Sequence, residues 1–114
     1  MVKVEILKSL VLEIKKKFSK KEANKIIDLM QNLEEHPKKG KLLGNAGGIV
    51  IKEIKYRNFR FYFIADGYKL KFLDEKEVVD LLLRFVRMSD KKRQKKTIDE
   101  IREILRTIEP YGFK

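Results

Sequence analysis

IKYRNFRFYFIADG, residues 54–67, is the stretch on which the fold turns. Tyr56, Phe59, Phe61, Tyr62, Phe63 and Ile64 are strand formers. Arg57-Asn58 and Asp66-Gly67 read as two-residue connections on either side of a strand. Asp-Gly is the stronger hairpin signal, because a type I′ turn needs positive φ at both central residues. Alternation sends Phe59, Phe61 and Phe63 to one face and Arg60, Tyr62 and Ile64 to the other. The phenylalanines are expected in the core. Arg60 and Tyr62 are expected to turn outward, on a wetter second face where cations are tolerated.

Working outward, residues 49–56, 59–65 and 68–73 read as three strands. Lys38 to Gly48 precedes them and reads as a loop, with four glycines and three lysines. No Gly-Lys-Ser/Thr follows, so these glycines are not a phosphate loop. Val2, Val4 and Ile6 alternate with Lys3 and Glu5, a first strand. Leu10, Leu12, Ile14 and Phe18 suit a helix over 7–18. Ser19 with Glu22 is a capping box opening a second helix over 20–35, whose apolar face is Ala23, Ile26, Ile27, Met30 and Leu33. His36-Pro37 ends it, and His36 reads as a helix C-terminal cation or a surface residue. Asp74 with Glu77 is another capping box. Residues 74–88 read as a helix, with a buried strand as the alternative for Val78, Val79 and Leu81 to Leu83. Residues 91–108 read as a last helix with Ile98, Ile101, Ile104, Leu105 and Ile108 inward, before a short tail from Glu109 to Lys114. The expectation is a single α+β domain, 1–114. It has an N-terminal strand, an α-hairpin packed on a small antiparallel sheet of about four strands, and C-terminal helices.

The chain has 114 residues and 43% hydrophobic content, enough for a core. It carries a net charge of +11 and no cysteine. The first favours a polyanionic partner; the second excludes disulfides, thiolate catalysis and cysteine zinc sites. No apolar run approaches the roughly 18 residues a spanning helix needs, and residues 1–5 have no signal-peptide character. These readings point to a cytoplasmic protein with no membrane partner. Abundant Lys, Glu and Ile with scarce Gln lean toward a thermophilic source.

The excess charge is local. Residues 38–60 hold seven cations, Lys38, Lys39, Lys41, Lys52, Lys55, Arg57 and Arg60, against Glu53 alone. Residues 84–96 hold seven more, Arg84, Arg87, Lys91, Lys92, Arg93, Lys95 and Lys96, against Asp90 alone. Fourteen cations against two anions leave +12; the other 14 cations and 15 anions leave −1. A solvated surface usually mixes its signs, so the two windows are expected to form one basic face. The basic run at 91–96 also opens a helix, where cations oppose the macrodipole.

The order of elements and several short motifs resemble the RelE/ParE toxin superfamily over roughly residues 2–96. The motifs are Pro37; Gly40-Lys41-Leu42-Leu43-Gly44; Gly48-Ile49-Val50-Ile51-Lys52-Glu53-Ile54-Lys55; Phe59-Arg60-Phe61-Tyr62-Phe63; and Leu82-Leu83-Arg84-Phe85-Val86-Arg87-Met88-Ser89-Asp90-Lys91. The resemblance implies a toxin of a type II toxin–antitoxin system, a ribosome-dependent mRNA endonuclease that inhibits translation. Its partners would be a cognate antitoxin, mRNA and the ribosome, with a monomer when free. The alternative is a non-nuclease member of the same fold, a gyrase poison or a basic nucleic-acid-binding protein. By resemblance Arg60 is the arginine that meets the scissile phosphate, Lys55 stands where many members have an arginine, and Arg87, Lys91 and Lys92 fall among the later basic residues. Three departures stand out, the first being the insert Tyr68–Val78 between the strand hairpin and the later basic motif. Glu53 lies near where ribosome-dependent members place a catalytic lysine. The tyrosine many carry after the last strand has no counterpart; Thr97 is near its place and Tyr111 is too late.

RNA cleavage needs a base for the 2′-hydroxyl, charge neutralisation on the pentavalent phosphate and an acid for the leaving oxygen. Clustered cations supply the second, and can make one lysine a base. The chemistry calls for no metal and no cofactor. The catalytic candidates are Lys55, Arg60, Arg87 and Lys92. Candidate nucleic-acid contacts are Lys38, Lys39, Lys41, Lys52, Arg57, Tyr62, Arg84, Lys91, Arg93, Lys95 and Lys96. Arg57, in a turn, has a plain solvated reading beside the functional one. Tyr62 is expected to face the cations and stack on a base or a partner.

Overall fold

The computed structural model describes residues 2–46 and 48–108; the tail from Glu109, with Tyr111, lies outside them. Strands β1 (Lys3–Ile6), β2 (Lys41–Ala46), β3 (Ile49–Tyr56), β4 (Phe59–Asp66) and β5 (Lys69–Leu73) form one sheet in the order β1-β5-β4-β3-β2. Helices α1 (Lys8–Lys17) and α2 (Lys20–Gln31) follow β1, and α3 (Glu75–Met88) and α4 (Lys91–Ile108) follow β5. The α+β class matches the sequence reading, and so does the order of elements apart from β2.

β3 and β4 pair antiparallel along their whole length, with Tyr56 opposite Phe59, so Arg57-Asn58 is the two-residue connection expected. Arg57 takes a left-handed φ of 56° there. The next turn lies one residue later than expected. Asp66 pairs with Lys69, so Gly67 and Tyr68 form the connection. Only the first of them has positive φ, 58° at Gly67, which is the demand of a type II′ turn rather than I′.

The sheet has five strands, not about four, and it is mixed. β1 runs parallel to β5, with Val4 opposite Leu70. The fifth strand is β2, inside the stretch read as a loop. Its glycine is what hides it: a Cβ on Gly44 would sit 2.6 Å from Ile104 Cγ1. The strand gives up a side chain so that α4 can lie against it, and its ladder to β3 slips between Leu42 and Gly44.

One face of the sheet carries Phe61, Phe63, Ile54, Phe72, Leu70 and Val4 against Leu10 and Ile14 of α1 and Ala23, Ile26 and Met30 of α2. The phenylalanine stripe is core, as expected. Each large side chain fully buried here contributes about 1.5–3 kcal/mol. Ser19 and Asp74 cap α2 and α3, accepting from the amides of Glu22 at 3.2 Å and Glu77 at 2.8 Å. Glu75–Met88 is helix rather than strand, with Asp74 as its N-cap. Leu12, one of the apolar positions that suit α1, is 59% exposed.

The main correction concerns the second face. It is not wet. Ile51, Tyr62, Ile64 and Leu73 pack beneath Val78 and Leu82 of α3 and Ile101, Ile104 and Ile108 of α4. Both C-terminal helices carry an apolar stripe that must be covered, and this sheet face covers it. The sheet is therefore sandwiched between two helical pairs. Tyr62, expected on the surface, is 0% exposed. It cannot stack on a base.

Candidate nucleic-acid interface

Alternation and register build the site. On the second face Glu53 lies directly opposite Tyr62, and Lys55 directly opposite Arg60. Opposed like charges are costly. Glu53 offsets that cost from the diagonal: its Oε1 accepts from Arg60 Nη1 at 2.6 Å. Glu53 is the buried charged residue of the core, at 4% exposure, and the Arg60 side chain is 17% exposed. On the other side Lys41 opens β2 opposite Glu53. The turn before it, Lys39-Gly40, folds back tightly. Gly40 has φ 108°, and a Cβ there would come within 3.0 Å of Phe63 Cζ and 3.1 Å of the Glu53 carbonyl.

The result is an open cavity of about 420 Å³ lined by Leu29, Lys39, Gly40, Lys41, Glu53, Ile54, Lys55 and Arg60. Four cations and one carboxylate converge there from three separate parts of the chain. That is a net charge of +3 over a few side chains, enough to concentrate phosphate. Lys52 sits outside this group, on the phenylalanine face. Its Nζ donates to the Lys38 carbonyl at 3.3 Å and lies 5.9 Å from the centre of the Phe63 ring. Arg57 is tied to α2: Nη1 meets Glu22 Oε1 at 2.9 Å, and the guanidinium lies over Tyr56.

The second basic window occupies another place. Arg84 and Arg87 line a separate cavity of about 300 Å³ on α3, with Glu77, Asp80 and Leu83. Lys91, Lys92, Arg93, Lys95 and Lys96 are all exposed on the first turns of α4. Asp90, the lone anion there, accepts from the Arg93 amide at 2.8 Å and caps the helix. So the cavity on β3 and β4 gathers Lys39, Lys41, Lys55 and Arg60, while Arg87 and Lys92 are not among its lining residues. A larger cavity of about 590 Å³, lined by Glu13, Asp74, Glu75, Lys76, Val79 and Asp80, is acidic and repels phosphate. Burial, followed by Asp74 and Glu75, holds the Glu13 carboxyl above the usual carboxylate range.

Tyr62 does not line the cavity on β3 and β4; it is a core residue opposite Glu53 in the strand register. Its hydroxyl has no hydrogen-bond partner among the described residues, and neither does Glu53 Oε2. Burial above all, then the Glu53 and Glu75 carboxylates, pushes the phenol up to about 12. It stays protonated at neutral pH. Leu29 and Gly40 escaped the sequence reading. Gly40 had a local signal, a glycine between two lysines after a helix stop. Leu29 had none, because its helix face looks like any other.

No family model, no curated protein and no solved structure matches this chain. Among the described residues no helix is long and apolar enough to cross a membrane.

Proposed function

We propose that this chain binds RNA through the cavity at the β3–β4 edge and acts there as a translation-inhibiting endoribonuclease. It would work on mRNA at the ribosome and be restrained by a cognate antitoxin, as its resemblance to RelE-like toxins suggests. The observation that carries the reading is the convergence of Lys39, Lys41, Lys55 and Arg60 on one cavity with a single carboxylate. Such a site can neutralise the charge that develops on a phosphodiester during attack by the neighbouring 2′-hydroxyl. That attack is intramolecular, so fixing the ribose and phosphate supplies much of the barrier reduction. Lys55 and Lys41 are exposed cations able to meet non-bridging oxygens, and Arg60 presents part of its guanidinium beside them.

A second reading, a nucleic-acid-binding protein without cleavage, is favoured by two observations. Arg60 is already held by Glu53, and Tyr62 is sealed in the core. Induced expression followed by primer extension on translated mRNA separates the two. Growth arrest with new 5′ ends on ribosome-bound message supports the nuclease. Intact message with RNA retention leaves the binding protein. Absence of RNA retention at low salt refutes both.

A further inference from the structure

The cavity has more to it than charge. Beside the cations the lining includes two apolar residues, Leu29, half-buried in the last turn of α2, and Ile54. A phosphate alone needs no apolar wall, and about 420 Å³ lies within the range of small-ligand pockets, about 300–1,000 Å³. The strand edge is open at the same place. β2 begins at Lys41, opposite Glu53. Past that point the described residues pair Ile54, Lys55 and Tyr56 with β4 only. The Glu53 carbonyl points toward Gly40, on the β2 side. Main-chain direction alternates along a strand, so the N–H and C=O of Lys55 point to the same, unpaired side.

A cation wall, an apolar wall and a free main-chain donor and acceptor are the three parts of a nucleotide site. We infer that this cavity holds one whole nucleotide of a single-stranded RNA. Its phosphate meets Lys41, Lys55 and Arg60, its base lies against Leu29, and the Lys55 main chain meets the edge of that base. The inference rests on the RNA-binding reading above and adds Leu29 as the residue that tells a nucleotide from a bare phosphate.

The test is a titration of the isotopically labelled full chain, followed by amide NMR. The probes are the four nucleoside 3′-monophosphates, the four nucleosides, inorganic phosphate and a single-stranded RNA octamer. The monophosphates are expected to shift the amides of Leu29, Gly40 and Lys55 and to bind about tenfold more tightly than phosphate, from partial burial of the base. Leu29→Asn is expected to lower nucleotide affinity to that of phosphate while leaving phosphate binding unchanged. Leu29→Met, which keeps the apolar wall, retains the preference, and the amide spectra report whether each variant is folded. Equal affinity for nucleotide and phosphate overturns the inference. So does an unchanged preference in Leu29→Asn, or shifts confined to α4. If the octamer binds but nucleotides behave as phosphate, the pocket fails and the RNA reading stands. If the octamer does not bind at low salt, the RNA reading fails and the pocket with it.

Discussion

Arg60 Nη1 meets Glu53 Oε1 at 2.6 Å, diagonally across β4 and β3, with the carboxylate 4% and the guanidinium side chain 17% exposed. A pair this enclosed cannot lose one member cheaply. Arg60→Ala strands a buried carboxylate and is expected to cost about 3–5 kcal/mol. Lost activity in that variant would therefore mix unfolding with chemistry. Glu53→Gln is the cleaner change. It keeps the shape, removes the one anion and is expected to tighten RNA binding while lowering stability less than Arg60→Ala does. Urea denaturation beside RNA titration checks both. Weaker binding by a folded Glu53→Gln would mean that the carboxylate holds Arg60 in place for the ligand.

Tyr62→Phe should be neutral or stabilising, since it removes a buried hydroxyl that has no hydrogen-bond partner among the described residues. The pH dependence carries the sign. The folded phenol titrates at about 12, above its ordinary value of 10.0. Between those values the native state keeps a proton that the unfolded chain has lost, so stability falls as pH rises from 10 to 12. In Tyr62→Phe this component of the alkaline loss disappears. Denaturation midpoints across that range, compared between the two proteins, test it; parallel curves would show that Tyr62 is not the group involved.

Gly40 and Gly48 form a matched comparison. Both have positive φ, 108° and 84°. A Cβ at Gly40 would press on Phe63 at 3.0 Å and the Glu53 carbonyl at 3.1 Å, whereas one at Gly48 meets nothing within 4 Å. Alanine at either position carries a backbone cost of about 1–2 kcal/mol. Gly40→Ala adds an overpacking cost of about 1–3 kcal/mol and displaces Lys39 and Lys41. It should weaken RNA binding, and Gly48→Ala should not. Thermal melts and RNA titrations of both variants would show equal effects if the Lys39-Gly40-Lys41 turn had no part in the site.

Much of this fold was legible because local rules and global packing agree. The capping residues Ser19 and Asp74, the Phe61 and Phe63 stripe and the helical spacing of Ile101, Ile104 and Ile108 all read correctly. β2 was not legible, because Gly44 is there for α4, a contact formed by residues 60 positions away in the chain. The second sheet face misled for a related reason. Arg60 at its end suggests water, yet Tyr62 and Ile64, the next residues on that face, lie under two helices. A strand's pattern tells which residues share a face; it does not tell what covers them. In the site, Lys55 and Arg60 were each legible as candidates, while their direct pairing comes from the strand register. The contributions of Leu29 and Gly40 depend on where α2 and the turn after it come to rest.

The two basic regions should separate in kinetics. Reversing Lys92, Lys95 and Lys96 to Glu on the exposed face of α4 is expected to raise KM for RNA and leave kcat unchanged. Lys55→Ala, in the cavity, should lower kcat. Steady-state cleavage of a labelled mRNA on the ribosome distinguishes them. A fall in kcat for the α4 variant would place its lysines at the reacting phosphate instead.

The most direct measurement is the salt dependence of binding to a single-stranded RNA octamer, for the wild type and for Lys41→Ala/Lys55→Ala. Each phosphate contact contributes about −0.7 to the slope of log K against log salt on single strands. Lys41 and Lys55 meet the same phosphate, so removing both should flatten the slope by about 0.7, with the fold unchanged because both side chains are exposed. An unchanged slope in a folded double variant would contradict the cavity as the place where this protein holds RNA.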